Sequence, residues 1–468
     1  MSKDAKKLAS RNANRSRTPQ SEQFMKYIGS GWAERDDRLP KVDAVAPYAA
    51  KRRAAVAKSF KGKVVVIAAG AAKQRSNDTE YRYRPHSAFT HLTGWGSRAV
   101  PNSVLVIDAR KGSKSMLFFR ETAGRETDEF FAAADIGEFW LGARPNLQQV
   151  AALLSLPTRS LKTVDEYIKS IPKKDLVTLD NPELAEFVSE LRMVKDEYEI
   201  KEMRKAVAAS IEGFKSVVRN LDRAVKHPRG ERIVEGAFFT EARAHGHDLG
   251  YETIAAAGAH ACILHWMIND GKVNKGELLL LDAGVEVDSL YTADVTRTLP
   301  INGKFTATQE MIYEAVREAA DAAFKIAKPG VKFREIHGAA MKVIAKKTAE
   351  WGLLPVSAEE SLEPDNQFHR RWMVHGTSHH LGLDVHDCAQ ARREMYLDAE
   401  LKPGMIFTIE PGLYFHKDDL LVPKKFRGIG IRIEDDVLVI KTGVENLTKG
   451  LPRKPREIEA WMQKLSCC

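Results

Sequence analysis

The chain has little cysteine: four residues in 468, with no spacing that suits a disulfide framework or a CxxC zinc site. Cys262 and Cys388 stand alone, and a bridge between the adjacent Cys467 and Cys468 would be strained. A reducing compartment, the cytoplasm, is the expected home. No apolar run reaches the ~18 residues of a membrane span, so no membrane partner is expected. A GxSxG nucleophile elbow is missing, and fragments such as HLTGWGS do not form a phosphate-binding glycine pattern. Basic charge is scarce where the chemistry lies. The net charge is +9, but residues 1–63 hold 16 Lys/Arg against 6 Asp/Glu, leaving the rest near neutral. A nucleic-acid enzyme would place its basic residues around the working site, so no nucleic acid is expected.

The length calls for two or three domains, and 44% apolar residues suffice to build their cores. Residues 1–40 read as a disordered basic tail without the apolar segment of a secretory signal. Apolar spacing predicts a helix over Val42 to Phe60, with Lys51, Arg52 and Arg53 on its wet side. KVVVIAAG reads as a buried strand, and SVLVIDARKGSKSMLFFRE as two strands around a Lys-Gly-Ser turn. A first α/β domain is thus expected over 41–190. One long charged helical stretch starts at Asn181-Pro182, with the domain junction inside it near 190–197. A second domain over 191–455 carries a strand ending at Asp282 and helices over Thr308 to Ala327 and Phe333 to Trp351. Residues 456–468 read as a C-terminal tail. The fold class is α/β (α+β), without a fixed-period repeat.

Five metal-type side chains lie in five short motifs of this second domain. Asp282 follows four leucines, where burial demands a cation or hydrogen bonds. The adjacent Gly284 would let the backbone turn sharply. Asp294, in ADVTRT, reads as part of the returning strand, on the face of Asp282 if no bulge intervenes. HGTSHHLGLDVHD supplies His375, His379 and His386; His380, next to His379, could exchange roles with it, but the favoured reading is an outward-facing neighbour. Glu410 ends the apolar run MIFTIEPGLY. Glu434, in GIGIRIEDD, shares a strand face with Arg432, opposite the core-facing Ile431 and Ile433. Four carboxylates and one imidazole suit a pair of hard divalent cations, such as a hydrolase uses to grip both oxygens of a transition state. That ligand set favours Mn²⁺, with Zn²⁺ or Co²⁺ as alternatives.

In this order the motifs Asp282-Ala-Gly, Ala-Asp294-Val-Thr-Arg-Thr, His375-Gly-Thr-Ser-His379, Glu410-Pro-Gly and Arg432-Ile-Glu434-Asp resemble the pita-bread metallopeptidases, and among them aminopeptidase P. The resemblance covers roughly residues 42–455. It implies a creatinase-like N-terminal α/β domain ahead of a pita-bread catalytic domain. It implies an Xaa-Pro aminopeptidase, acting on peptides with proline in second place. Asp294 and Glu434 would bridge two metals, Asp282 would bind one, and His379 and Glu410 the other. A hydroxide between the metals would attack the carbonyl before proline, and Glu410 would handle its proton. His265 and His386 would bind substrate and its oxyanion, with His375 nearby and Arg432 and Tyr414 as buttresses. A homodimer or homotetramer is implied too.

Two positions depart from the resemblance: His380 stands where an aromatic residue is usual, and Thr377 where a larger aliphatic one is. Neither is an implied ligand, so pocket shape is what they change. The rival readings are a prolidase, which takes Xaa-Pro dipeptides, and a non-catalytic binding protein on the same fold. Retention of all five ligand types argues against the latter.

Overall fold

The computed structural model describes residue 19 and residues 21–77 and 79–466. The chain separates into two compact units, Met1–Ala185 and Glu186–Cys468. The tail expected over residues 1–40 falls partly outside the described residues. Where it is described it is not a bare tail. Ser21 caps a helix, α1 (Glu22–Ile28), by accepting from the Phe24 N–H. Trp32 packs edge-on against Phe130, and Arg35 pairs with Glu138.

The first unit is organised around a mixed sheet of β1 (Val64–Ala68), β2 (Val104–Asp108), β3 (Lys114–Phe119), β4 (Thr158–Ser160) and β5 (Leu176–Thr178). Their spatial order is β4-β3-β2-β1-β5. The turn at Lys111 to Ser113 joins antiparallel β2 and β3, as their sequence predicts. Val64 through Ile67 are buried on both faces, which is why that strand reads as an unbroken apolar run.

The preceding helix, α2, runs from Ala46 to Ser59. Its wet side differs from the expectation, since Arg52 and Arg53 are only 6% and 5% exposed. Their Nη1 atoms donate to the carbonyls of His91 and Leu92, at 3.0 and 2.8 Å, near the end of helix α3 (Ser87–Thr93). Last-turn carbonyls lack helical partners and carry the negative end of the dipole, so two guanidiniums suit them.

The stretch expected to be one helix breaks in two. A first helix spans Pro182–Glu190, and α4 spans Glu197–Lys226. Asp196 closes the break with a capping box: its carboxylate accepts from the Glu199 N–H, and Glu199 returns the bond to the Asp196 N–H. Helix α5 (Gly230–His245) follows, then β6 (Ile254–Ala257), β7 (Leu278–Asp282) and β8 (Thr296–Pro300), which pair in the order β8-β7-β6. Helices α6 (Ala307–Ile326) and α7 (Phe333–Glu350) lie where their periodicity puts them.

Four further strands of this unit matter here: β9 (Ile406–Ile409), β10 (Gly412–Phe415), β11 (Ile429–Arg432) and β12 (Asp435–Ile440). β9 pairs with β12 and β10 with β11, all antiparallel. The two ladders are one hairpin interrupted at Glu410-Pro411 on one side and Ile433-Glu434 on the other. Pro411 has no N–H to give a ladder, and the break leaves both glutamates free to point at something other than a neighbouring strand. Residues 456–468 were expected to be a tail. Instead α8 (Pro455–Ser466) buries Ile458, Met462 and Leu465, a helical spacing whose apolar stripe joins the core of this unit.

Candidate metal centre

Asp282 closes β7 directly opposite Thr296 of β8. Asp294 lies two residues before Thr296, so alternation brings both aspartates to one face. No bulge intervenes, because the Ala283 N–H still donates to the Val295 carbonyl at 3.0 Å. The role of Gly284 differs from the expected sharp turn. A Cβ there would lie 1.8 Å from the Ala293 carbonyl oxygen, so glycine is required for the close approach of the two strands.

The second hairpin meets this one through the Glu434 N–H, which donates to the Thr296 carbonyl at 3.0 Å. Thr298 and Arg432 exchange further bonds between hydroxyl and backbone. Asp294, His379 and Glu434 thereby converge, each offering one ligand atom within 4.8 Å of the others. Glu410 joins them: its Oε1 lies 3.4 Å from His379 Nε2, and its N–H is held by the Thr377 carbonyl at 2.9 Å. His379 Nε2 is 3.2 Å from Asp294 Oδ2.

Asp282 is held from two sides. The Tyr251 hydroxyl donates to its Oδ1 at 2.7 Å, and Arg432 Nη2 pairs with its Oδ2. Arg432 also donates from Nε to Thr296 Oγ1 at 3.2 Å and from Nη1 to the Tyr414 hydroxyl at 3.1 Å. Thr296 in turn donates to Glu434 Oε2 at 2.6 Å. Arg432 and Glu434 do share a direction, but neither face of their strand is wet: both are buried, as are Ile431 and Ile433.

The histidines differ sharply. His375 Nε2 is 2.7 Å from the Tyr414 hydroxyl and its Nδ1 is 3.6 Å from Glu410 Oε2. Burial and then the Arg432 charge push its pKa down to about 3. Burial also disfavours the His379 cation, but Asp294 and Glu410 outweigh it and lift the pKa to about 9. The His386 ring stands edge-on to His379, with centroids 4.5 Å apart. Both His386 and His265 are exposed, and the charge of His265 helps to lower His375 and His386. His380 is not the outward-facing neighbour expected. It is 1% exposed, stacked on Phe333 at 4.6 Å, and neither ring nitrogen has a hydrogen-bond partner among the described residues. Burial holds it neutral, with a pKa of about 3, so it fills the aromatic slot as an aromatic.

Whether this site suits cations can be tested on its carboxylates. Burial, then the charges of Asp294, Glu410 and Asp282, push the Glu434 carboxyl well above its ordinary range. Glu410 is pushed up to about 7, again by burial first. Asp282 is raised by burial in spite of Arg432. Carboxyls crowded into a buried site are unfavourable as anions unless cations compensate them. Oxygen-rich ligation with one imidazole is what a hard divalent metal takes. The residues therefore fit such a metal.

Sequence reasoning missed Tyr251 and Thr296. Thr296 was legible, since it lies two residues beyond Asp294 on the same strand face. Tyr251 carries no motif and reaches Asp282 only through the fold.

Comparison with known proteins places these residues in context. Residues 201–441 match metallopeptidase family M24, and residues 49–177 match the aminopeptidase P N-terminal domain. Xaa-Pro aminopeptidase 1 of Streptomyces coelicolor is 44% identical over 95% of this chain and 93% of its own length. Xaa-Pro aminopeptidase of Escherichia coli is 33% identical over 88% and 96%. Among solved structures, an E. coli aminopeptidase P variant in complex with substrate superposes with a TM-score of 0.78 at 28% identity. It covers 92% of this chain and 100% of that one. A zinc-substituted E. coli aminopeptidase P in complex with product gives 0.77 at 29%, covering 91% and 99%.

Proposed function

The chain belongs to metallopeptidase family M24, as a hydrolase with an aminopeptidase P N-terminal domain ahead of its catalytic unit, and on that footing we propose that it releases the first residue of peptides with proline in second place. The observation that carries the site assignment is the convergence of Asp294, His379 and Glu434 within 4.8 Å, with Glu410 beside His379. Asp282, Asp294, His379, Glu410 and Glu434 would hold two divalent ions, Mn²⁺ by the hardness of the ligand set. When bound, such ions polarise a carbonyl oxygen and lower the pKa of water.

The chain's own groups do the rest. Glu410 faces His379 with one oxygen and His375 with the other, a placement from which its carboxylate would accept and return the proton of an attacking water. His386, edge-on to His379, and His265 would donate N–H groups to a developing oxyanion. His375, held neutral, bonds the Tyr414 hydroxyl, which Arg432 fixes in turn. Arg432 thus ties Asp282, Tyr414 and Thr296 into one rigid frame. A peptide bond to proline lacks an N–H, so a dedicated site replaces the backbone recognition general peptidases use.

The test is mass spectrometry of products after incubating Mn²⁺-loaded protein with an Xaa-Pro-Xaa tripeptide and, separately, an Xaa-Pro dipeptide. Free first residue together with Pro-Xaa is the expected result. An intact tripeptide beside a cleaved dipeptide would replace this reading with prolidase.

A further inference from the structure

His265 is exposed on a loop that leaves β6 and returns before β7. The loop is gathered around a carboxylate that the proposed chemistry does not use. Glu231, in the first turn of α5, is fully buried. Its Oε1 accepts from the Ala257 N–H at 2.8 Å and lies 2.8 Å from His260 Nδ1. Its Oε2 accepts from Trp266 Nε1 at 2.8 Å and from the Gly271 N–H at 2.7 Å. The Glu231 N–H returns a bond to the Gly271 carbonyl at 3.1 Å.

Four donors for four lone-pair positions leave this carboxylate fully satisfied. Three of the four come from the loop itself, on both sides of His265. The His260 and Trp266 rings stack at 3.8 Å, closing the loop on itself next to the carboxylate. Gly271 belongs to the same construction, because a Cβ there would lie 2.7 Å from Glu231 Oε2 and from His260. At the other edge Asn269, also buried, accepts from the Ala255 N–H at 3.0 Å and donates to the Thr253 carbonyl at 2.8 Å. Glu231 and Asn269 together occupy the free edge of β6 in place of a neighbouring strand.

We propose that Glu231 is the positioning residue for His265: its carboxylate gathers the Ala257, His260, Trp266 and Gly271 donors and so fixes the loop that presents His265 to the substrate. The proposal rests on the aminopeptidase reading for what His265 does, but not for how it is held. Glu231→Gln is the discriminating change. An amide has one acceptor oxygen and turns an NH₂ toward two of the four donors, with almost no change in size. Trp266→Phe is the milder companion, removing one donor while keeping the stacked ring.

Kinetics with an Xaa-Pro-Xaa substrate, in a cycle with His265→Ala, supplies the first readout. Glu231→Gln is expected to lower kcat/KM about 10–100-fold, with bound metal unchanged, and to add nothing further in the His265→Ala background. Trp266→Phe should follow the same pattern more weakly. Hydrogen exchange supplies the second readout, independent of substrate. Protection should fall in residues 258–271 and stay unchanged around Asp282 and Glu434. If the wild type cleaves no Xaa-Pro peptide while the loop loosens in Glu231→Gln, the aminopeptidase reading fails and the positioning stands. Multiplicative losses in the cycle, or an unaltered loop, would overturn the proposal.

Discussion

Asp387 and Glu434 are buried carboxylates of the same unit, and burial alone would push both upward. Glu434 goes that way. Asp387 goes the other, because the buried Lys195 and Arg192 outweigh its desolvation and hold it well below the usual carboxylate range. Lys195 Nζ lies 3.1 Å from Asp387 Oδ2, and Arg192 Nε lies 2.9 Å from Oδ1. Around Glu434 the charges are Asp282, Asp294 and Glu410, with Arg432 as the opposing cation. One cluster carries its counter-charge within the chain. The other is built with an excess of anion, which is what a site that would hold cations needs and a structural ion pair does not have.

The strongest way to break the comparison is Glu434→Ala. Removing a group that would touch both ions should lose metal and activity together, by several kcal/mol of transition-state stabilisation, on the order of 10³-fold. Metal analysis beside turnover checks it, and an active variant with full metal content would take Glu434 out of the ligand set.

Asp387→Asn addresses the self-compensated cluster. It leaves Arg192 and Lys195 buried without their anion, so denaturant unfolding at neutral pH should show a loss of about 3–5 kcal/mol. The pH dependence follows from the direction of the shift. A carboxyl lowered by folding contributes fully above its unfolded pKa and loses that contribution as pH falls through the folded value. The gap between wild type and variant should therefore close in acid below about pH 4. A gap that persists there would mean that packing, not charge, holds Asp387.

The smallest effect, and the sharpest contrast in sign, is expected from metal removal. In metal-free protein Glu410 and Glu434 are raised by folding, so their contribution is complete below the unfolded pKa and is lost as pH rises through the folded one, about 7 for Glu410. Chelated protein should lose roughly 2–3 kcal/mol between pH 5 and 8, and added Mn²⁺ should abolish that slope. A flat profile in the chelated protein would show that the excess anion is neutralised by something other than metal.

How far the sequence carried depended on distance along the chain. The strand ends at Asp282 and Glu410 were legible because a carboxylate closing an apolar run is conspicuous within ten residues. Helices α6 and α7 were legible from apolar periodicity. Arg52 and Arg53 were misplaced because the carbonyls they cap lie 39 residues further on. His380 was misplaced because its stacking partner, Phe333, sits on a helix far upstream. The Asp387 cluster joins residues 192 and 195 apart, and no local pattern announces it.

The sequence by itself determined the identity and order of the five metal-type residues, and with them the family, because each sits in a short motif whose chemistry is local. Tertiary structure alone decided which carboxylates are compensated and which are not. A pKa depends on charges a few ångströms away in space, and here those charges come from the end of β7, the segment before β8, the break after β9, the end of β11 and the segment ahead of α4, which only folding brings together.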